Sequence, residues 1–118
     1  MPFEKILKDL TVRARATGAI MLDLEGEVVA SYARAASLEI DLIGAHHGII
    51  LDIIKDASRR SASNDVDFVS ITTSSVRLAI SPLKEGYYLV IAAPKSTPSG
   101  RALFESRRAR VELEREMG

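Results

Sequence analysis

The side chains able to do chemistry in this chain are few, and their spacing works against it. His46 and His47 are its only imidazoles. Adjacent residues on a helix point about 100° apart, so the two cannot close on one metal ion as an i, i+4 pair does. Asp52 and Asp56 are four apart on the same segment. No base, nucleophile or metal ligand stands near them in sequence, and the pair reads as a solvated face rather than general acid–base machinery. Ser61, Ser63, Ser70, Ser74 and Ser75 form no motif with either histidine; turn and strand-surface roles account for them. Arg107, Arg108 and Arg110 are interleaved with Glu105, Glu112, Glu114 and Glu116, the pattern of a solvated charged helix rather than a phosphate-binding stripe. The chain carries no Gly-x-x-x-x-Gly-Lys-Ser/Thr loop, no Gly-x-Gly-x-x-Gly and no Gly-x-Ser-x-Gly elbow, so phosphate-cradling and hydrolase chemistry lack their usual motifs. These residues point away from an enzyme, with no catalytic, metal-binding or cofactor-binding set.

Composition narrows the partners in the same way. Sixteen basic residues balance sixteen acidic ones, and there is no cysteine. No global field draws the protein to nucleic acid or an anionic membrane, and disulfide or thiolate chemistry is excluded. No apolar run approaches the roughly 18 residues of a membrane-inserted helix, and Glu4, Lys5, Lys8 and Asp9 interrupt the N-terminus where a secretion signal would be apolar. A cytoplasmic protein of one domain over residues 1–118, with no nucleic acid or membrane insertion, is the expectation.

The segment Leu38–Arg60 organises the rest. Leu42, Ala45, Ile49, Ile53 and Ala57 recur at helical steps, and Ile43, Ile50 and Ile54 make a second apolar stripe beside them, so the predicted helix needs cover on two sides. Gly44 and Gly48 add a spacing that lets another backbone come close. Before it, residues 2–16 read as an amphipathic helix stopped by Gly18. Ala19–Leu24 follows as a strand apolar on both faces and Val28–Tyr32 as its hairpin partner across a tight turn. After it come strands Val66–Thr73 and Val76–Ile80, a turn over Pro82–Gly86, and Tyr87–Ala93, again apolar on both faces. Strands one and five are the expected buried centre. Thr97 is the expected N-cap of a last helix over Ser99–Met117, with Ala102, Ala109, Leu113 and Met117 as a thin apolar stripe. Hairpins rather than crossovers predict an antiparallel sheet, an α+β fold.

In this order of elements the chain resembles the Roadblock/dynein light chain domain family. The residues that carry the resemblance are Gly18-Ala19-Ile20-Met21-Leu22-Asp23 with Gly26, the segment Leu38–Arg60, Ser70-Ile71-Thr72 through Val76-Arg77-Leu78-Ala79-Ile80, and Gly86-Tyr87-Tyr88-Leu89-Val90-Ile91-Ala92-Ala93. It implies a profilin-like five-stranded antiparallel sheet in the order 2-1-5-4-3, with the long helix on one face and the terminal helices on the other. It also implies a homodimer whose interface takes in Ile43, His46, His47, Ile50 and Ile54 together with Phe68, Ser70 and Thr72 of the third strand. The partner it implies is a Ras-like small GTPase, regulated or scaffolded without an inserted arginine. Two other readings compete with it: a small-molecule sensory module, and a structural subunit whose hetero-partner supplies the other half of the sheet.

Overall fold

The computed structural model describes residues 2–23, 25, 27–34, 69–72, 77–97 and 99–118. Helix α1 spans Pro2–Arg13 and buries Ile6, Leu7, Leu10 and Thr11, one stripe of its surface. Its end is made by backbone geometry rather than by Gly18. Ala16 N–H donates to the Thr11 carbonyl at 2.9 Å and Arg15 N–H to the Val12 carbonyl at 3.2 Å, the paired bonds of a Schellman cap. Arg15 sits at the left-handed position with φ 54°, where a side chain is strained and glycine is favoured. Gly18 instead opens the first strand.

Among the described residues, five strands form one antiparallel sheet: β1 (Gly18–Leu22), β2 (Val28–Ala33), β3 (Val69–Thr72), β4 (Arg77–Pro82) and β5 (Tyr88–Ala93), in the order β2-β1-β5-β4-β3. Every residue of β1 is buried, as are Leu89 to Ala93 of β5, because both strands are apolar on both faces and take neighbours on both sides. β1 is shorter than its apolar run. Asp23 leaves the ladder and its carboxylate accepts the N–H groups of Glu25 and Glu27, each at 2.9 Å, an Asx turn that starts the hairpin early. The β4–β5 connection is a tight turn with positive φ at both central residues, Glu85 at 60° and Gly86 at 79°. Tyr87 N–H closes it on the Lys84 carbonyl, which is the I′ geometry matched to strand twist.

Helix α2 (Ser99–Met117) lies beside α1 on one face of the sheet. There Leu7, Leu10, Ala102, Ala109 and Leu113 pack with Met21, Leu89 and Ile91 in the larger core cluster. Fully burying each of the larger side chains stabilises the fold by about 1.5–3 kcal/mol. The opposite face carries a second buried cluster of Ile20, Leu22, Leu78, Ile80, Val90 and Ala92.

The expected strand bounds are corrected at the end of β4. The described helices are α1 and α2, and both lie on one face of the sheet. The long helix expected on the other face falls on residues 38–60, outside the described residues. The third strand is described over Val69–Thr72, the rest of the expected Val66–Thr73 lying outside the described residues, while β4 extends through Pro82, which pairs with Tyr88 at the ladder's end. A proline tolerates such a terminal place because its missing N–H interrupts no interior bond.

Candidate functional site

Two surfaces emerge, a sheet edge and a helix face. β3 is the terminal strand of the sheet, in register with β4 through Val69↔Ile80, Ser70↔Ala79, Ile71↔Leu78 and Thr72↔Arg77. A terminal strand presents a row of backbone groups on its outer side, which is a template for pairing with another chain. Ser70 and Thr72 are exposed. Facing pairs share a sheet face, and Ala79 belongs to the core beneath the helices. Ser70 and Thr72 therefore lie on the α1–α2 side of the sheet. Of the remaining residues expected at a dimer interface, Ile43, His46, His47, Ile50, Ile54 and Phe68 lie outside the described residues.

The helix face is positioned by a latch. Arg77 donates to the Thr97 carbonyl at 3.0 Å, the Thr97 hydroxyl reaches the Arg15 carbonyl at 3.4 Å, and Arg101 Nε donates to the Arg13 carbonyl at 2.7 Å. The last turn of α1 and the first turn of α2 are thus joined through the β5–α2 loop. A guanidinium on the last carbonyls of α1 also suits the negative end of that helix. Thr97, expected as the N-cap of α2, directs its hydroxyl to the Arg15 carbonyl. At the other end of α2, Glu114 accepts the Lys84 backbone N–H at 2.7 Å and lies 3.5 Å from Arg110 Nε, and the Lys84 ammonium donates to the Gly118 carbonyl. Both ends of α2 are held, which fixes the outward face.

That face corrects the expectation of an evenly alternating helix. Arg101, Arg107, Arg108 and Arg115 are exposed, whereas Glu105, Glu112 and Glu114 are half-buried. Glu105 and Glu112 line the groove between α1 and α2 with Asp9 and Arg13, and Glu114 is committed to the hairpin. Between the arginines stand Phe104, 65% exposed, and Val111, 57% exposed, seven residues apart and so on one side of the helix. Sequence reasoning missed this ridge because it counted signs along the chain rather than around the helix. The signal was present in the seven-residue step from Phe104 to Val111. Among the described residues no group of three or more His, Cys, Asp or Glu could hold a metal ion, and no helix is long and apolar enough to cross a membrane.

A family model for the Roadblock/LC7 domain matches residues 2–93. The chain belongs to the Roadblock/LC7 family. No curated protein matches it. Among solved structures, the Roadblock/LC7 chain is similar to MglB of Myxococcus xanthus, at 16% identity and TM-score 0.78, covering 98% of this chain and 94% of that one. It is similar to the gliding protein MglB of Thermus thermophilus at 14% identity and TM-score 0.83, over 97% and 87% of the two chains. An MglB structure described as having a tetrameric arrangement matches at 15% identity and TM-score 0.83, over 96% and 85%. At these identities the likeness is one of fold. The Roadblock/LC7 match stops at Ala93, and α2, beyond it, completes the layer on α1.

Proposed function

We propose that this chain is a cytoplasmic, dimeric regulator or scaffold that binds a Ras-like small GTPase and has no catalytic residue of its own, residues 1–118 acting as one domain. The observation that carries the reading is membership of the Roadblock/LC7 family over residues 2–93, and the fold shared with MglB, one structure of which is described as a tetrameric arrangement, supports it. In this reading two copies meet through Ile43, His46, His47, Ile50 and Ile54 and along the edge β3, from Phe68 through Ser70 and Thr72. Pairing β3 with its counterpart would satisfy the outward backbone groups of a terminal strand. It would also shield the second apolar stripe of segment 38–60 from water. Any stimulation of hydrolysis would come from repositioning the GTPase's own residues.

Light scattering across a concentration series tests the dimer, and a pull-down of small GTPases from the host on the same sample tests the partner. Ile50→Asp should place an unpaired charge in a dry interface and weaken association by several kcal/mol, on the order of 3–5. A monomeric wild type, or an Ile50→Asp variant of unchanged mass, would refute the interface. A dimer that retains no small GTPase would leave the architecture standing and refute the partner.

A further inference from the structure

The chain is neutral as a whole, but its charges are not evenly placed. The outward surface of the helical layer is basic, most of all on α2. There the exposed ridge is Arg101, Phe104, Arg107, Arg108, Val111 and Arg115, with Glu116 as the exposed acid of α2 at its side. The neighbouring helix adds to it: Lys5 and Lys8 are exposed on α1, and Val12 between them and the cap is 53% exposed. Of the exposed acids of α1, Glu4 stands in the first turn and Asp9 lines the groove. Glu105 and Glu112 of α2 line the groove between the helices, with Arg108 at its rim, and Glu114 is bound to the β4–β5 turn. The result is a broad two-helix surface in which single large apolar side chains stand among guanidinium and ammonium groups.

From this we infer that the outer face of the α1–α2 layer docks on an anionic lipid surface. Phe104 and Val111 enter the boundary between headgroups and acyl chains, while Arg101, Arg107, Arg108 and Arg115 lie among the lipid phosphates. The two parts of the ridge ask for different surroundings a short distance apart, and a charged bilayer surface offers both. A nucleic-acid backbone would meet the arginines and leave Phe104 and Val111 with no apolar surface to enter. The groove between the helices is lined by the protein's own charged groups, Asp9, Arg13, Glu105, Glu112 and Arg108, the last standing where groove and ridge meet, so recognition falls to the ridge and not to a pocket. Attachment of this kind is peripheral and reversible, and it involves no spanning helix. It leaves the β3 edge, at the end of the sheet, available for the dimer, and it does not depend on the GTPase reading.

The test is co-sedimentation of the full chain with vesicles of phosphatidylcholine alone and of phosphatidylcholine mixed with phosphatidylglycerol, at low and high salt. Binding is expected only to the mixed vesicles and should fall as salt screens the surface. Reversing two of the ridge charges in Arg108→Glu/Arg115→Glu should weaken partitioning at least about twentyfold, each arginine near an anionic surface contributing roughly a fivefold factor. Phe104→Ser should weaken it with no loss of melting temperature, since that side chain is exposed in the fold. Equal binding to both vesicle types, no binding at low salt, or a charge-reversed variant that binds like the wild type would overturn the inference. So would tight binding to a short DNA duplex that Phe104→Ser leaves unchanged, because that would show a purely electrostatic surface.

Discussion

Ser106 offers the sharpest test of how the two helices are packed. It is 1% exposed, on the face of α2 that continues Ala102 and Ala109, and its hydroxyl has no hydrogen-bond partner. The facing helix shows the alternative: Thr11, equally buried, donates its hydroxyl to the Leu7 carbonyl one turn back at 2.7 Å. A buried polar atom left without a partner costs about 1–3 kcal/mol, and replacing serine by alanine in a helix adds roughly 0.5 kcal/mol of propensity. Against this stands the small void left by one oxygen, a fraction of the ~1 kcal/mol that a missing methyl costs. Ser106→Ala should therefore stabilise the protein by about 1–2 kcal/mol, which for a chain of this size raises the melting temperature by roughly 4–8 °C. Urea and thermal unfolding of the two proteins measure it, with Thr11→Ala as the opposite control, expected to lose about 1 kcal/mol because its hydroxyl bond is made. A neutral or destabilising Ser106→Ala would show that the hydroxyl is satisfied, and that the contact between α1 and α2 is organised around a polar bond rather than close apposition of small side chains.

Two further outcomes follow from backbone geometry. Arg15→Gly should stabilise the cap of α1 by about 0.5–1 kcal/mol, read from denaturant midpoints, because glycine adopts the left-handed conformation without strain; a loss instead would mean that the arginine side chain contributes more than its backbone strain takes away. Asp23→Ala should cost about 1 kcal/mol and speed amide exchange at Glu25 and Glu27, the two N–H groups its carboxylate holds; unchanged exchange would place the order of the β1–β2 hairpin in the strand pairing alone.

Much of the framework was legible in the chain. Strands apolar on both faces, Ala19–Leu24 and Tyr87–Ala93, had to be interior, since only a strand with neighbours on each side and layers on each face can bury both sets of side chains. The helical stripe of Ile6, Leu7 and Leu10, and that of Ala102, Ala109 and Leu113, marked the faces that meet the core. Ser106 completes the second stripe, and its polarity hid it. Element ends were less legible because they are set by local hydrogen bonds that composition does not encode. α1 stops at Arg13 through a cap centred on an arginine rather than on Gly18. β1 stops at Leu22 because Asp23 captures its own turn. Thr97 turns its hydroxyl to the Arg15 carbonyl, a partner far away in sequence that short spacing does not reveal.

What the amino-acid sequence determined by itself was the pattern of burial and the absence of the usual catalytic motifs, because both depend on residue type at short spacing. What only the tertiary structure decided was which polar groups meet. Overall neutrality belongs to the sequence, but the basic ridge exists because packing α2 on α1 turns Glu105 and Glu112 into the groove, binds Glu114 to a hairpin thirty residues away in sequence, and leaves Arg101, Arg107, Arg108 and Arg115 exposed, Arg108 at the groove's rim. Charge is summed along a chain, whereas a partner meets only the side chains that folding leaves on one surface.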